Sequence, residues 1–261
     1  MLLGDNSGGI TVTDPSYLDC KTGRRIAYHQ VAGRGPGVVF LGGFKSDMEG
    51  TKAIHLEDWA RAQGRAFLRL DYSGHGQSSG EFTDGCIGEW AEDAVAVIEA
   101  VCEGPQVLVG SSMGGWIALL TIKRMADRIA GLVGIAAAPD FTEDSMWRDF
   151  STLQRAELIG EGQVALPSEY GEPYVITRKL IEDGRNQLVL RAPLNLPFPV
   201  RLLQGTADED VKVSVALRLL EQAKGDDIRL TLVKGADHRF SSPDCLAQIE
   251  QAVVDVLPAG G

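Results

Sequence analysis

The sequence predicts an α/β fold: one mostly parallel sheet with helices on both of its faces. Three observations carry that reading. Strand-like and helix-like segments alternate along the chain, the signature of a parallel sheet covered on both sides. The central strand candidates are continuous apolar runs rather than alternating ones, as strands buried on both faces must be. One of those runs passes through a glycine-flanked serine turn straight into an apolar helix, Val107-Leu108-Val109-Gly110-Ser111-Ser112-Met113-Gly114-Gly115-Trp116.

In chain order the strand candidates are Ile10–Thr13, Arg25–Val31, Gly37–Leu41, Ala66–Leu70, Gln106–Gly110, Gly131–Ala137, Val200–Gln204 and Ile228–Val233. Thr51 to Gln63 is a helix candidate closed by Gly64, a residue suited to the left-handed position just past a helix end. Ile87, Trp90, Ala91, Ala94, Val95, Ile98, Val101 and Cys102 recur at helical spacing and form one apolar face. Leu246, Ile249, Val253 and Leu257 mark a final amphipathic helix. Residues 141–196 interrupt the alternation without a further strand signal. They mix Glu143, Asp144 and Asp149 with Trp147, Phe150, Leu153, Tyr170, Tyr174 and Ile176. A connection of that length implies an inserted, partly helical lid within a single domain spanning 1–261.

Composition narrows the function classes. The 261 residues carry a formal charge of −11 with no basic stripe, which argues against nucleic acid or an anionic membrane as partner. No apolar run approaches the roughly 20 residues that span a bilayer, and the first residues show no secretory signal pattern. Cys20, Cys86, Cys102 and Cys245 are scattered without metal-ligand spacing, so reduced thiols and a cytoplasmic location are expected.

Two G-x-S-x-G strings compete for the chemistry. Gly110–Gly114 sits between a strand and a helix, the setting in which a sharp turn lifts a serine hydroxyl above a sheet edge. Gly76-Gln77-Ser78-Ser79-Gly80 opens no helix. Setting therefore selects Ser112 over Ser78. A serine hydroxyl needs a base to take its proton and a third group to orient that base. Of the four histidines, His29 lies mid-strand, His55 in a helix and His75 in the second glycine–serine loop. His238 follows the last strand, where a loop can return it over the sheet edge. Asp208 follows the strand Val200–Gln204 and is the preferred acid, with Glu209, Asp210 and Asp140 as alternatives; Asp237 reads as a solvated loop charge. The order Ser112, Asp208, His238 is that of one hydrolase architecture and of neither best-known protease order.

With these residues in view, the chain resembles the α/β-hydrolase-fold serine hydrolases over nearly its whole length. The resemblance implies an eight-stranded, mostly parallel sheet, helices on both faces and a small helical lid. It also implies an oxyanion hole from the backbone amides of Met113 and Phe44, the latter in Leu41-Gly42-Gly43-Phe44. Many members have His-Gly where this chain has Gly42-Gly43, a departure that leaves the amide available. Asp71-Tyr72-Ser73-Gly74-His75-Gly76-Gln77-Ser78 resembles the family's D-x-x-G-x-G-x-S turn, which is structural there. The pieces GFKSDMEGTKA, RLDYSGHGQSSG, VLVGSSMGGW and Pro167–Tyr170 are similar to the mitochondrial α/β-hydrolase-domain esterases that act as palmitoyl-protein thioesterases and acyl-glucuronide esterases.

That likeness implies a serine esterase or thioesterase that needs no cofactor. Its substrate would be a small ester or thioester, with an acylated protein as a further candidate. C–C bond hydrolysis or cofactor-free haloperoxidase-type chemistry on the same fold is the first rival. A non-catalytic ligand-binding homologue is the second, and it is disfavoured because all three side-chain positions are filled.

Overall fold

The computed structural model describes residues 14–166 and 173–258. The strand candidate Ile10–Thr13 and the lid residues 167–170 lie outside the described residues. The first half of the chain runs β1 (Ser16–Asp19), β2 (Arg25–Val31), β3 (Arg34–Leu41), α1 (Thr51–Ala62), β4 (Arg65–Leu70), α2 (Ile87–Val101), β5 (Gln106–Ser111), α3 (Met113–Met125) and β6 (Ile129–Ile135). The second half continues with α4 (Thr152–Glu161), β7 (Gln163–Leu166), β8 (Tyr174–Thr177), α5 (Arg178–Asn186), β9 (Leu194–Asn195), β10 (Val200–Gly205), α6 (Val213–Gln222), β11 (Ala223–Lys224), β12 (Ile228–Val233) and α7 (Pro243–Val256).

Eight strands form one sheet in the order β1-β2-β4-β3-β5-β6-β10-β12. β1 and β2 pair antiparallel, as do β2 and β4; every pair from β4 across to β12 is parallel. The parallel strands therefore end at one edge, where open α/β sheets place their sites. Side chains alternate across the sheet as a strand requires. Val38, Phe40, Val107, Val109, Val133 and Ile135 pack beneath α1 and α7. Their neighbours Val39, Leu41, Leu108, Leu132 and Leu202 face the opposite layer, built on α2, α3 and α6. Both faces are covered, which is why the central strands read as unbroken apolar runs.

Local chemistry sets the element ends. Gly64, at φ 61°, follows α1 in the left-handed region that costs glycine little. Ser242 caps α7 by accepting the Cys245 N–H at 3.3 Å, and Pro243 occupies a first-turn position where no donor is lost. β6 stops at Ile135, two residues before the expected Ala137, because Ala136 turns to φ 45°.

The insertion between β6 and β10 departs from expectation. It holds a π-helical turn (Thr142–Trp147) and the helices α4 and α5, but also an antiparallel hairpin of β7 and β8. Each hairpin strand has four residues, too few for a period of two to declare itself. Asp140 anchors this insertion. Its buried carboxylate accepts N–H groups from Val189 (2.8 Å) and Leu190 (2.9 Å) and pairs with Arg191 at 3.1 Å. Asp144 adds ion pairs to Arg191 and Arg218. Of the lid aromatics, Phe150 is buried, and the guanidinium groups of Arg155 and Arg185 each lie over the Trp147 ring.

Candidate active site

Ser112 sits between β5, buried along its whole length, and the first turn of α3. Its backbone is held at φ 55°, ψ −120°, a conformation that costs a non-glycine residue of order 1–3 kcal/mol and persists only where neighbours enforce it. Those neighbours are identifiable. The Ser112 N–H donates to Ile135 O at 2.9 Å, and its carbonyl accepts from Gly115 (2.9 Å) and Ala138 (3.0 Å). Glycine is required on either side: a Cβ on Gly110 would lie 2.4 Å from Gly114 O. These are sub-van-der-Waals approaches to backbone, which cannot swing aside.

Two loops at the same sheet edge bring the partners. Gly205 closes β10, and a Cβ there would lie 2.2 Å from Ala236 O in the loop after β12. That close approach lets the loops lock together: Ala207 N–H donates to Ala236 O at 3.0 Å, and Gly235 N–H donates to Thr206 Oγ1 at 2.9 Å. His238 then lies against Asp208, with Nδ1 2.9 Å from Oδ2 and 3.1 Å from Oδ1. Its other ring nitrogen, Nε2, is 3.2 Å from Ser112 Oγ. The structure thus brings Ser112, His238 and Asp208 into one hydrogen-bonded line.

The Asp208 side chain is fully buried and accepts from Gln204 Nε2 (2.9 Å), Asp210 N (3.0 Å) and Val211 N (2.8 Å). Burial pushes its pKa up, but the hydrogen bonds from His238, Val211 and Gln204 outweigh burial and hold it below the usual range. With the acid ionised, Nδ1 carries the proton and Nε2 is left to face the hydroxyl.

The alternative acids go elsewhere. Asp140 clamps the insertion, Glu209 is exposed, and Asp210 meets Asp208 through its own N–H. Asp237 is more than a solvated charge, since its Oδ1 accepts the Phe240 N–H at 3.0 Å. Asp208, Asp210 and His238 do bring ligand-type atoms within 4.8 Å of one another, but Asp208 and His238 are already engaged with each other.

The two amides expected at the oxyanion position lie on the elbow's flanks. Met113 opens α3, where the first N–H groups of a helix lack intrahelical acceptors. Phe44 follows Gly43, whose Cβ position would be 3.4 Å from Ser112 Cβ. Neither amide has a hydrogen-bond partner among the described residues. The Phe44 ring packs edge-on against Phe82 (4.9 Å), Phe141 (5.5 Å) and Trp90 (6.1 Å). That aromatic cluster joins the insertion to the loop after β3, and sequence periodicity gave no sign of it.

Ser78, in the competing motif, is a structural hydroxyl. It accepts the Ala27 N–H at 2.8 Å and donates to Asp71 O at 2.7 Å, tying its loop to β2.

The fold and this site define an α/β hydrolase. A model of the alpha/beta hydrolase family matches residues 38–256, and the chain belongs to that family. Among solved structures, an Agrobacterium vitis S4 protein described as a hydrolase is 40% identical with a TM-score of 0.90, covering 94% of this chain and 99% of that one. Mouse alpha/beta hydrolase domain-containing protein 10 is 31% identical with a TM-score of 0.86, covering 93% and 98%. The mitochondrial palmitoyl-protein thioesterase ABHD10 of Rattus norvegicus is 34% identical over 217 residues, 82% of this chain and 73% of the relative. The narrower likeness seen in the motifs is therefore shown.

One expectation is corrected by the same relatives. A cytoplasmic protein was expected, yet the rat, bovine, mouse and human relatives are all named as mitochondrial. The scattered spacing of the four cysteines, on which that expectation rested, does not choose among compartments. No helix among the described residues is long and apolar enough to cross a membrane.

Proposed function

We propose that this hydrolase cleaves carboxylic esters or thioesters through an acyl-enzyme on Ser112. One observation carries the reading: Ser112 Oγ lies 3.2 Å from His238 Nε2, whose Nδ1 lies 2.9 Å from the buried Asp208 carboxylate. His238 takes the Ser112 proton as Oγ attacks the acyl carbonyl, and Asp208 holds the tautomer and stabilises the imidazolium. The oxyanion accepts hydrogen bonds from Met113 and Phe44, a contribution of roughly 3–4 kcal/mol per donor in comparable sites. His238 returns the proton to the leaving alcohol or thiol. Water then attacks the acyl-enzyme with His238 as base, releasing the acid and restoring Ser112.

The thioesterase name of the rat and human relatives supports acyl thioesters, free or on a protein, as the substrate class. Residues 141–196 act as a lid inserted in a single hydrolase domain. The support is contact: Phe141 and Tyr174 pack on Phe44, one residue beyond the glycine that abuts Ser112. A chain-length series of acyl p-nitrophenyl esters and matched acyl thioesters tests the substrate class. Turnover that rises with a particular acyl length in both series supports it; turnover of a diketone alone, with neither ester nor thioester cleaved, refutes it.

A further inference from the structure

The second glycine–serine turn carries a buried histidine for which the acyl-transfer steps have no use. We propose that His75 is a positioning residue for the oxyanion loop: its imidazole accepts the Lys45 N–H and so holds the adjoining Phe44 amide toward Ser112. The proposal rests on the serine-hydrolase reading above and names a residue that reading leaves out.

The loop after β3 needs outside support. Gly42 and Gly43 offer no side chain to grip it, and Lys45 sits at φ 59°, a left-handed conformation that a lysine adopts only when held. The holding groups come from the strand and turn that contain the second motif. Asp71 Oδ1 accepts the Met48 N–H at 2.6 Å, and Arg69 Nη1 donates to Met48 O at 2.9 Å. Tyr72 OH donates to Gly42 O at 3.3 Å. Within the loop, Ser46 N–H donates to Gly43 O at 3.2 Å. Of the bonds that reach the loop from outside, the one nearest in sequence to the Phe44 N–H is the 3.3 Å bond from Lys45 N–H to His75 Nε2.

Two backbone groups with fixed roles set the tautomer of this ring. The Ser73 carbonyl, 3.2 Å from Nδ1, can only accept, so Nδ1 carries the proton. The Lys45 N–H can only donate, so Nε2 is the acceptor. Orientation is enforced from further back: Asp93 Oδ2 accepts both the N–H (3.0 Å) and the hydroxyl (2.7 Å) of Ser73. Tyr72, Phe82 and Trp90 surround the imidazole edge-on at centroid distances of 5.5, 5.2 and 5.0 Å. Burial in that aromatic box lowers the His75 pKa and keeps the ring neutral, the form able to accept. Phe82 and Trp90 also touch the Phe44 ring, so one box grips both the histidine and the loop it serves.

The test compares His75→Phe, which keeps a ring but loses both hydrogen bonds, with His75→Gln, whose amide can offer an acceptor near the Nε2 position. A displacement of about 1 Å at a catalytic group can cost on the order of 100-fold. We expect His75→Phe to lower kcat on a p-nitrophenyl ester by roughly 10- to 100-fold, with KM within about twofold, and His75→Gln to recover most of the loss. Wild-type kcat in His75→Phe, equal impairment of both variants, or a change in KM alone overturns the proposal. Ser112→Ala is measured alongside: activity retained there sinks the serine reading itself. A dead Ser112→Ala beside a wild-type-like His75→Phe sinks only the positioning role. Should both His75 variants fail to fold, imidazole 15N spectra of the intact protein decide the matter. A neutral ring protonated at Nδ1 supports the assignment, and a ring protonated at Nε2 overturns it.

Discussion

A Cβ on Gly114 would lie 2.0 Å from the carbonyl oxygen of Leu41. The turn that carries Ser112 is thus pressed against the end of β3, the strand that opens the oxyanion loop. One close packing contact sets the relation between the serine and the amide expected to serve it.

Substitution at that contact should be costly. Gly114→Ala forces a methyl group into backbone that cannot rotate away, and we expect a loss of roughly 3 kcal/mol or more with activity abolished. Gly50→Ala is the control, since its Cβ would meet nothing nearer than Asp47 O at 3.6 Å. Thermal melts of both variants check this. Equal melting temperatures would show that the elbow relaxes freely.

The second motif should matter for stability and not for chemistry. Ser78→Ala leaves the buried Ala27 N–H and Asp71 carbonyl without their partner. A loss of roughly 1–3 kcal/mol is expected in urea unfolding, with ester turnover per folded molecule unchanged.

Asp208→Asn tests the acid. The carboxamide cannot accept from His238, Asp210 and Val211 as the carboxylate does, and its NH2 favours the wrong imidazole tautomer. By analogy with other triads, kcat should fall on the order of 10,000-fold. Glu209→Gln, exposed and outside the hydrogen-bonded line, should leave kcat unchanged. Reversed effects in steady-state kinetics would move the acid to Glu209.

Asp71 should make its own mark on stability against pH. Burial, the largest cause, raises its carboxyl from the ordinary value to about 6, against the pull of the Gln77 and Met48 N–H bonds. The folded state therefore holds this proton more tightly than the unfolded chain. The resulting stability is fully present below about pH 4 and is lost as pH rises through about 6. The upper bound is roughly 2–3 kcal/mol. Urea unfolding of wild type and Asp71→Asn at a series of pH values isolates it. The wild-type advantage should shrink steadily from pH 4 to pH 7, and a constant difference would contradict the assignment.

The legible parts of the molecule were those where burial writes directly into composition. β3, β5, β6 and β10 are covered on both faces, so the apolar runs of β5, β6 and β10 were legible to within one or two residues, while β3 begins three residues earlier, at Arg34, where exposed residues hide it. Ser112 was separable from Ser78 because only one of the two strings lies between a strand and a helix. Asp208 could be preferred over Asp140 only by its place after a strand, a position both residues share in looser form. Distance decided between them, through 2.9 Å to His238 for one and a clamp on Val189 and Leu190 for the other. The β7–β8 hairpin is too short to show a period. The grip of His75 on Lys45 joins loops 30 residues apart by a side-chain bond that leaves no pattern in the chain.

Active-site labelling with a fluorophosphonate probe, followed by mapping of the modified residue in wild type, Ser112→Ala and Ser78→Ala, tests whether Ser112 is the nucleophile. A single labelled site at Ser112 is expected, retained in Ser78→Ala, with no labelling or acyl-ester turnover in Ser112→Ala. Labelling that persists in Ser112→Ala, or turnover that survives its loss, would contradict the claim that Ser112 is the nucleophile.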